Sequence, residues 1–433
     1  MRLTWAALVI VCLGAGCLAD RSPEAVIDRA EVERILATLS ADSMQGRRTF
    51  TQGIEMAAAF IEREFAAIGL ETFDGMRDYR QQFHLRSLTP ESHRVVLNGS
   101  EAPADGYFFS ANVADLRWVT GDDLDIVTVG PEDNAMQAFS LIRGSERNLL
   151  VLMNERHRGF FNRLRSFMSE PRHTMELGSE GSRVFVLTNE TRVDSYEITL
   201  KNAVSESGLA NVVGTIPGRR HDEIVLFSAH YDHIGIRPAV DGDSVANGAN
   251  DNATGTTAVI QLAKYFKAQR VPERTLVFVL FTAEEIGGFG SEYFSRQVDP
   301  DHIVAMFNFE MIGKPAKDRP NGAWITGYEK SDFGAILARA VEDSEFSFYA
   351  DPQPDQNLFY RSDNATLARL GVPAHTISTT TLEGDQDYHQ VSDEIETLDL
   401  DLMTTTIRAV ARAAMSIVSG EATPTRIDSS QLQ

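Results

Sequence analysis

The residues with chemistry to offer stand directly behind apolar runs. Thr275 to Phe281 (TLVFVLF) runs into Glu284 and Glu285, Ile224 to Ala229 (IVLFSA) into His230-Tyr231-Asp232-His233, and Ile303 to Phe309 (IVAMFNF) into Glu310. Asn250-Asp251-Asn252-Ala253-Thr254-Gly255 opens a helical stretch, and Asp387-Tyr388-His389 follows a weaker run. Taken singly, each has an ordinary explanation: a solvated glutamate pair, a hydrogen-bonded histidine, an Asp251 that caps its helix, a Glu310 paired with a lysine. Two adjacent glutamates at the end of a buried strand nevertheless repel each other and lose hydration, so something must compensate. The ordinary explanations would also have to coincide at several strand ends.

A mixed histidine and carboxylate set suits a hydrolytic zinc site with positions left open for water. Thiolates are excluded from it, because the only cysteines, Cys12 and Cys17, lie in the first twenty residues. The same fact excludes a disulfide in the body of the chain. Charge argues for two ions, since a pair of divalent cations with one bridging hydroxide neutralises Asp251, Glu285 and Glu310. A single ion would leave that cluster negative.

The elements that must position these groups alternate between strand and helix after residue 209. Buried strands are expected at Ile224–Ala229, Thr275–Phe281 and Ile303–Phe309, with weaker ones at Gly322–Thr326 and Val372–Ser378. A helix is expected over Thr254–Lys267, and another carries Met403, Ile407, Val410, Ala414 and Ile417. This alternation makes an α/β fold, a mixed sheet with a mostly parallel core flanked by helices, where ligands gather at the carboxyl ends of strands. Helical stripes at Val32-Ile35-Leu36-Leu39 and from Ile54 to Ile68 assign residues 20–84 to the same domain. Residues 85–208 read as short strands broken by polar turns, an inserted β-rich accessory module. The main domain resumes over 209–418, and the polar residues 419–433 read as a disordered tail.

Bulk properties narrow the classes of partner. A net charge of −22 over 433 residues argues against nucleic acid, because nothing would offset the phosphates. Residues 1–19 join Arg2 to an apolar stretch and then small residues, as an export signal does. Leu13-Gly14-Ala15-Gly16-Cys17 fits a bacterial lipobox that would lipidate Cys17, and cleavage after Ala19 is the alternative. The expected locations are periplasm, cell envelope or medium, with membrane attachment only through Cys17.

AHYDHIG, NGANDNATG, FTAEEIGGFGS, FNFEMIG and DYHQVSDE resemble, in order, the motifs of metallopeptidase family 28, the co-catalytic zinc exopeptidases that include bacterial leucyl aminopeptidases. SADSMQGRRTF, Ser40 to Phe50, is similar to that family's approach to the peptidase domain. The resemblance implies two Zn²⁺ ions held by His230, Asp251, Glu285, Glu310 and His389, with Asp251 bridging. It implies Asp232 orienting His230, Glu284 as general base, Tyr388 donating to the scissile carbonyl, and a cis peptide bond after Asp251. Glu310 stands where relatives usually carry Asp, and Asn364 where Arg361-Ser362-Asp363-Asn364 more often ends in His. His233, His375 and Asp363 are read as supporting residues.

The function implied is a peptide-hydrolysing exopeptidase, an aminopeptidase. Glutamate carboxypeptidases share the motifs. A glutaminyl cyclase would tend to show Asp-Gly-Glu-Glu where this chain has Thr282-Ala283-Glu284-Glu285. A binding protein that had lost catalysis would have lost ligand positions, and here all are filled.

Overall fold

The computed structural model describes residues 21–168, 171–178 and 181–432. The export segment and Cys17 lie outside the described residues. Two compact units are present: one formed by the residues up to Gln81 together with Asn211 onward, the other by Gln82–Ala210.

In the first unit, the strands Ala374–Ser378, Ile303–Phe309, Arg220–His230 and Arg274–Phe281 lie side by side and parallel. Val212–Ile216 adds an antiparallel neighbour beyond Arg274–Phe281. On the other side, Gly322–Ile325 pairs antiparallel with Ala374–Ser378 and parallel with Ser347–Ala350. All eight residues of Arg274–Phe281 are buried, which is why that strand reads as an unbroken apolar run rather than an alternation. Phe227 stands in register with Phe278 and Phe307, and its ring stacks on theirs at 5.3 and 4.9 Å.

Helices cover the sheet. Thr254–Lys267 packs Val259, Leu262 and Phe266 into the core, and Arg29–Leu39 buries Val32, Ile35, Leu36 and Leu39. Gln52–Ile68 stops at Gly69, whose φ of 80° lets its amide reach back to Phe65 and Ala66. The last long helix spans Leu400–Ala413. No helix among the described residues is long and apolar enough to cross a membrane.

Two expectations need correction. Residues 419–432 are not a loose tail. Ile427 is buried, the Arg274 guanidinium donates to the Ala422 carbonyl and the Thr423 hydroxyl, and Arg426 donates to the Pro300, Ile303 and Leu370 carbonyls. Arginines elsewhere in the chain hold the segment, so its own polarity misleads. The middle unit is likewise not a set of short strands alone. Asp125–Val129, Leu149–Met153 and Arg183–Leu187 form a parallel sheet, with Tyr107–Ser110 antiparallel at its edge. The helices Ala135–Arg143 and Arg158–Met168 accompany it, the first capped by the Asn134 side chain. The unit is itself α/β.

Candidate metal centre

The carboxyl ends of adjacent parallel strands deliver the acidic and imidazole groups to one place. His230 is the last residue of its strand and pairs with Phe281, so the turn Thr282–Glu285 begins beside it. Glu310 follows Phe309, on the other side of His230. Asp251 arrives from the start of the helix Thr254–Lys267, and its peptide bond to Asn252 is cis. That approach needs two glycines. A Cβ on Gly248, at φ 55°, would come within 2.3 Å of the Asp251 carbonyl oxygen, and one on Gly255 within 2.6 Å of that of Phe309.

Two donor groups result, and they share Asp251. In the first, His230 Nε2 lies 3.4 Å from Asp251 Oδ1 and 3.0 Å from Glu310 Oε1. In the second, His389 Nε2 lies 3.2 Å from Asp251 Oδ2 and 3.2 Å from Glu285 Oε2. Donors about 3.3 Å apart are what a tetrahedral zinc with bonds near 2.0 Å requires, and each imidazole keeps about that spacing to its two carboxylates. Glu284 stands beside the first group, with Oε2 4.0 Å from His230 Nε2. Tyr388 stacks on His389 with ring centroids 4.0 Å apart.

Burial and crowding set the protonation states. Burial alone would raise the pKa of Asp251, but His230 and His389 hold it well below the usual carboxylate range. Burial would lower the pKa of His389, yet Asp251 and Glu285 push it up to about 10. Glu284 is raised well above its ordinary value, by burial first and then by Glu310, Asp363 and Glu285.

Supporting contacts explain the geometry. Asp232 stands behind His230: its backbone carbonyl is 3.1 Å and its carboxylate 3.7 Å from His230 Nδ1. The carboxylate accepts the amides of Glu284 and Glu285, at 3.1 and 3.3 Å, and so fixes the turn that carries them. The two amides of the turn take the nearby carboxylate, while a main-chain carbonyl orients the imidazole.

Glu310 Oε2 accepts from Asn252 Nδ2 and Ser362 Oγ, at 3.1 and 3.0 Å. Ser362 in turn accepts from Asn308, which also donates to Thr376, whose hydroxyl donates to Asn364 Oδ1. Asn364 therefore ends a buried chain that braces Glu310. Asp363 is buried nearby, its pKa pushed up to about 7 by burial first. His375 lies elsewhere, with Nδ1 2.8 Å from the Thr326 carbonyl and Nε2 2.7 Å from Ser331 Oγ.

His233, expected as a supporting residue, has Nδ1 2.7 Å from Glu285 Oε1, and together with Asp251 the two form a compact donor set. Other contributors escape a sequence reading. Asp393 accepts the amides of Asn250 and Asp251 at 2.9 and 3.0 Å. Arg47 is fully buried, and its guanidinium donates to the carbonyls of Leu39, Tyr231, Asn247 and Gly248 at 2.6 to 3.0 Å. Only the position of Arg47 inside SADSMQGRRTF hints at its importance.

Residues 211–414 match the model of peptidase family M28. Among curated relatives, it is 30% identical over 131 residues to "Aminopeptidase YwaD" of Bacillus subtilis, covering 29% of this chain and 26% of that protein. It is 25% identical over 225 residues to "Probable leucine aminopeptidase 2" of Arthroderma benhamiae, covering 47% of this chain and 43% of that protein. Matches thus span a quarter to somewhat over two fifths of these relatives' lengths. Among solved structures, an aminopeptidase from Aneurinibacillus sp. strain AM-1 superposes with a TM-score of 0.55 at 16% identity, covering 90% of this chain and 94% of that one. A zinc aminopeptidase from Bacillus subtilis gives the same score and identity over 91% and 96%. These structures establish the shared α/β fold.

Proposed function

We propose that this chain is a zinc-dependent exopeptidase, an aminopeptidase that removes residues from the amino ends of peptides. The observation that carries the reading is the sharing of Asp251 between two zinc-sized donor groups, with Glu284 beside them. His230, Asp251 and Glu310 would hold one ion, and Asp251, Glu285 and His389 the other. When bound, the ions supply Lewis acidity to the substrate carbonyl and to water.

The chain's own groups do the rest. Glu284 accepts the proton of the attacking water and hands it to the departing nitrogen. Asp232 holds the Glu284 and Glu285 amides, so Glu284 stands apart from the second donor group while Glu285 keeps Oε2 on His389, where it would hold the ion, and Oε1 on His233. Tyr388 supplies a hydroxyl to the carbonyl oxygen as charge develops there.

The acidic surroundings suit a free substrate amine. The cavity beside Glu310, lined by Met311, Trp324, Leu358 and Leu382, suits an apolar side chain. The names of relatives, aminopeptidases and zinc metalloproteases, support the same reading. An exported enzyme, lipid-anchored at Cys17 or released, follows from the amino-terminal segment, with residues 85–208 as an accessory module.

The test uses leucine anilide and matched peptides with free or blocked amines. Release should stop with a chelator, return with Zn²⁺, and require the free amine. Cleavage that persists with a blocked amine and depends on the carboxyl end would replace the aminopeptidase reading with a carboxypeptidase one.

A further inference from the structure

We propose that Lys314 is a positioning residue that holds His389 in the second donor group. The inference rests on the two-ion reading above.

His389 is not delivered by a strand or a helix. It sits in an irregular segment between the strand Ala374–Ser378 and the short helix Ile395–Thr397, at a φ of +59° and with its side chain 38% exposed. Packing alone does not fix such a residue. The segment is also acidic, carrying Asp385, Asp387, Asp393 and Glu394, and it approaches Asp251 and Glu285, which are acidic too. Like charges at that range push the segment away from the centre it must complete.

Lys314 stands four residues beyond Glu310 and answers that repulsion. Its Nζ lies 2.7 Å from Asp385 Oδ1 and 2.7 Å from Asp387 Oδ2, and its side chain is largely buried. Asp385 Oδ1 also accepts the Asp387 amide at 3.1 Å, and Asp387 Oδ1 accepts the Ser392 hydroxyl at 2.7 Å. The turn just ahead of His389 is therefore closed on one ammonium group.

The far side of the segment is fastened separately. Asp393 accepts the amides of Asn250 and Asp251 with its carboxylate and that of Ala249 with its carbonyl. His389 is thus suspended between two anchors. The Lys314 anchor comes from the same strand-end loop that supplies Glu310, so one loop provides a ligand for the first ion and the support for the second.

The experiment titrates the metal-free full chain with Zn²⁺ by calorimetry, for the wild type, Lys314→Met, Lys314→Arg and Asp387→Asn. The wild type should take two ions. Lys314→Met should keep one at wild-type affinity and bind the other about 10- to 100-fold more weakly, the usual effect of losing a group that supports a ligand. Lys314→Arg, which still spans both carboxylates, should restore most of that loss, and Asp387→Asn should fall between. Far-ultraviolet circular dichroism checks that each variant is folded. Should Lys314→Met not fold, Asp387→Asn, which loses one of the two carboxylates, still decides the matter. Two ions bound as tightly in the folded variants lacking the clamp as in the wild type overturn the inference. A wild type that takes fewer than two overturns the two-ion reading itself, and the inference with it.

Discussion

Asp251 and His389 meet at 3.2 Å although they enter from different parts of the chain, and the other oxygen of Asp251 faces His230 at 3.4 Å. One carboxylate therefore belongs to both donor groups. Asp251→Asn removes the charge while keeping the shape, so both ions should be affected together. The expected result is a loss of at least about 100-fold in affinity for each, beyond what removal of a supporting group costs. Calorimetric Zn²⁺ titration checks it. Retention of one ion at full affinity would show that Asp251 serves a single group.

Glu284→Gln separates catalysis from metal binding. Glu284 belongs to neither donor group, so the variant should take up two ions as the wild type does. Loss of the proton-transfer group should lower kcat by about 10²- to 10⁴-fold. Metal content and kcat on one preparation provide the check, and a variant with unreduced kcat would remove Glu284 from the role of base.

Arg47 should matter for folding more than for chemistry. Its guanidinium joins the ends of separate segments by donating to four backbone carbonyls, and burial lowers its pKa to about 10. Arg47→Met leaves the Leu39, Tyr231 and Asn247 carbonyls without the guanidinium, while Gly248 keeps the Ala253 amide, at roughly 1–3 kcal/mol for each group left unsatisfied. Relief from burying a charge returns part of this. A net loss of about 3 kcal/mol is expected in denaturant unfolding of the metal-free chain, and Arg47→Lys, with a single ammonium, should recover only a fraction. Unfolding curves that coincide with the wild type would contradict the bracing role.

Much of the architecture is legible because it depends on local pattern. The helix Thr254–Lys267 and the strand Ile303–Phe309 have the bounds their apolar spacing predicts, and continuous apolar runs mark strands covered on both faces. The meeting of His230 with Glu310 also follows once parallel strands are placed side by side, because each ends in its polar residue. Other features depend on contacts that leave no local trace. Nothing near Lys314 in the sequence names Asp385 and Asp387 as its partners, and nothing near Arg47 announces four carbonyls. Residues 419–432 look loose because their anchors, such as Arg274, lie far away in the chain. The further contacts of Asp232 are hidden for a related reason: its carboxylate also takes two turn amides that no local pattern announces.

His375 sets an acid limit on stability that is independent of the metal centre. It is buried in the strand Ala374–Ser378, stacked on Phe333 with ring centroids 5.0 Å apart. Burial pulls its pKa down to about 4, against the opposing hydrogen bond to the Thr326 carbonyl. In the unfolded chain it titrates near 6.5. Between those values the unfolded state binds a proton that the folded state refuses, so stability must fall as the pH drops. The contribution is fully present above about 6.5 and is lost progressively as the pH falls through about 4, amounting to about 3 kcal/mol over the window. His375→Gln keeps a donor for the Thr326 carbonyl but does not titrate. Unfolding free energies of the metal-free chain measured from pH 7 to pH 4 should show a shallower slope in this variant, whatever its absolute stability. Parallel slopes in variant and wild type would mean that His375 takes up its proton in the folded protein as readily as in the unfolded chain.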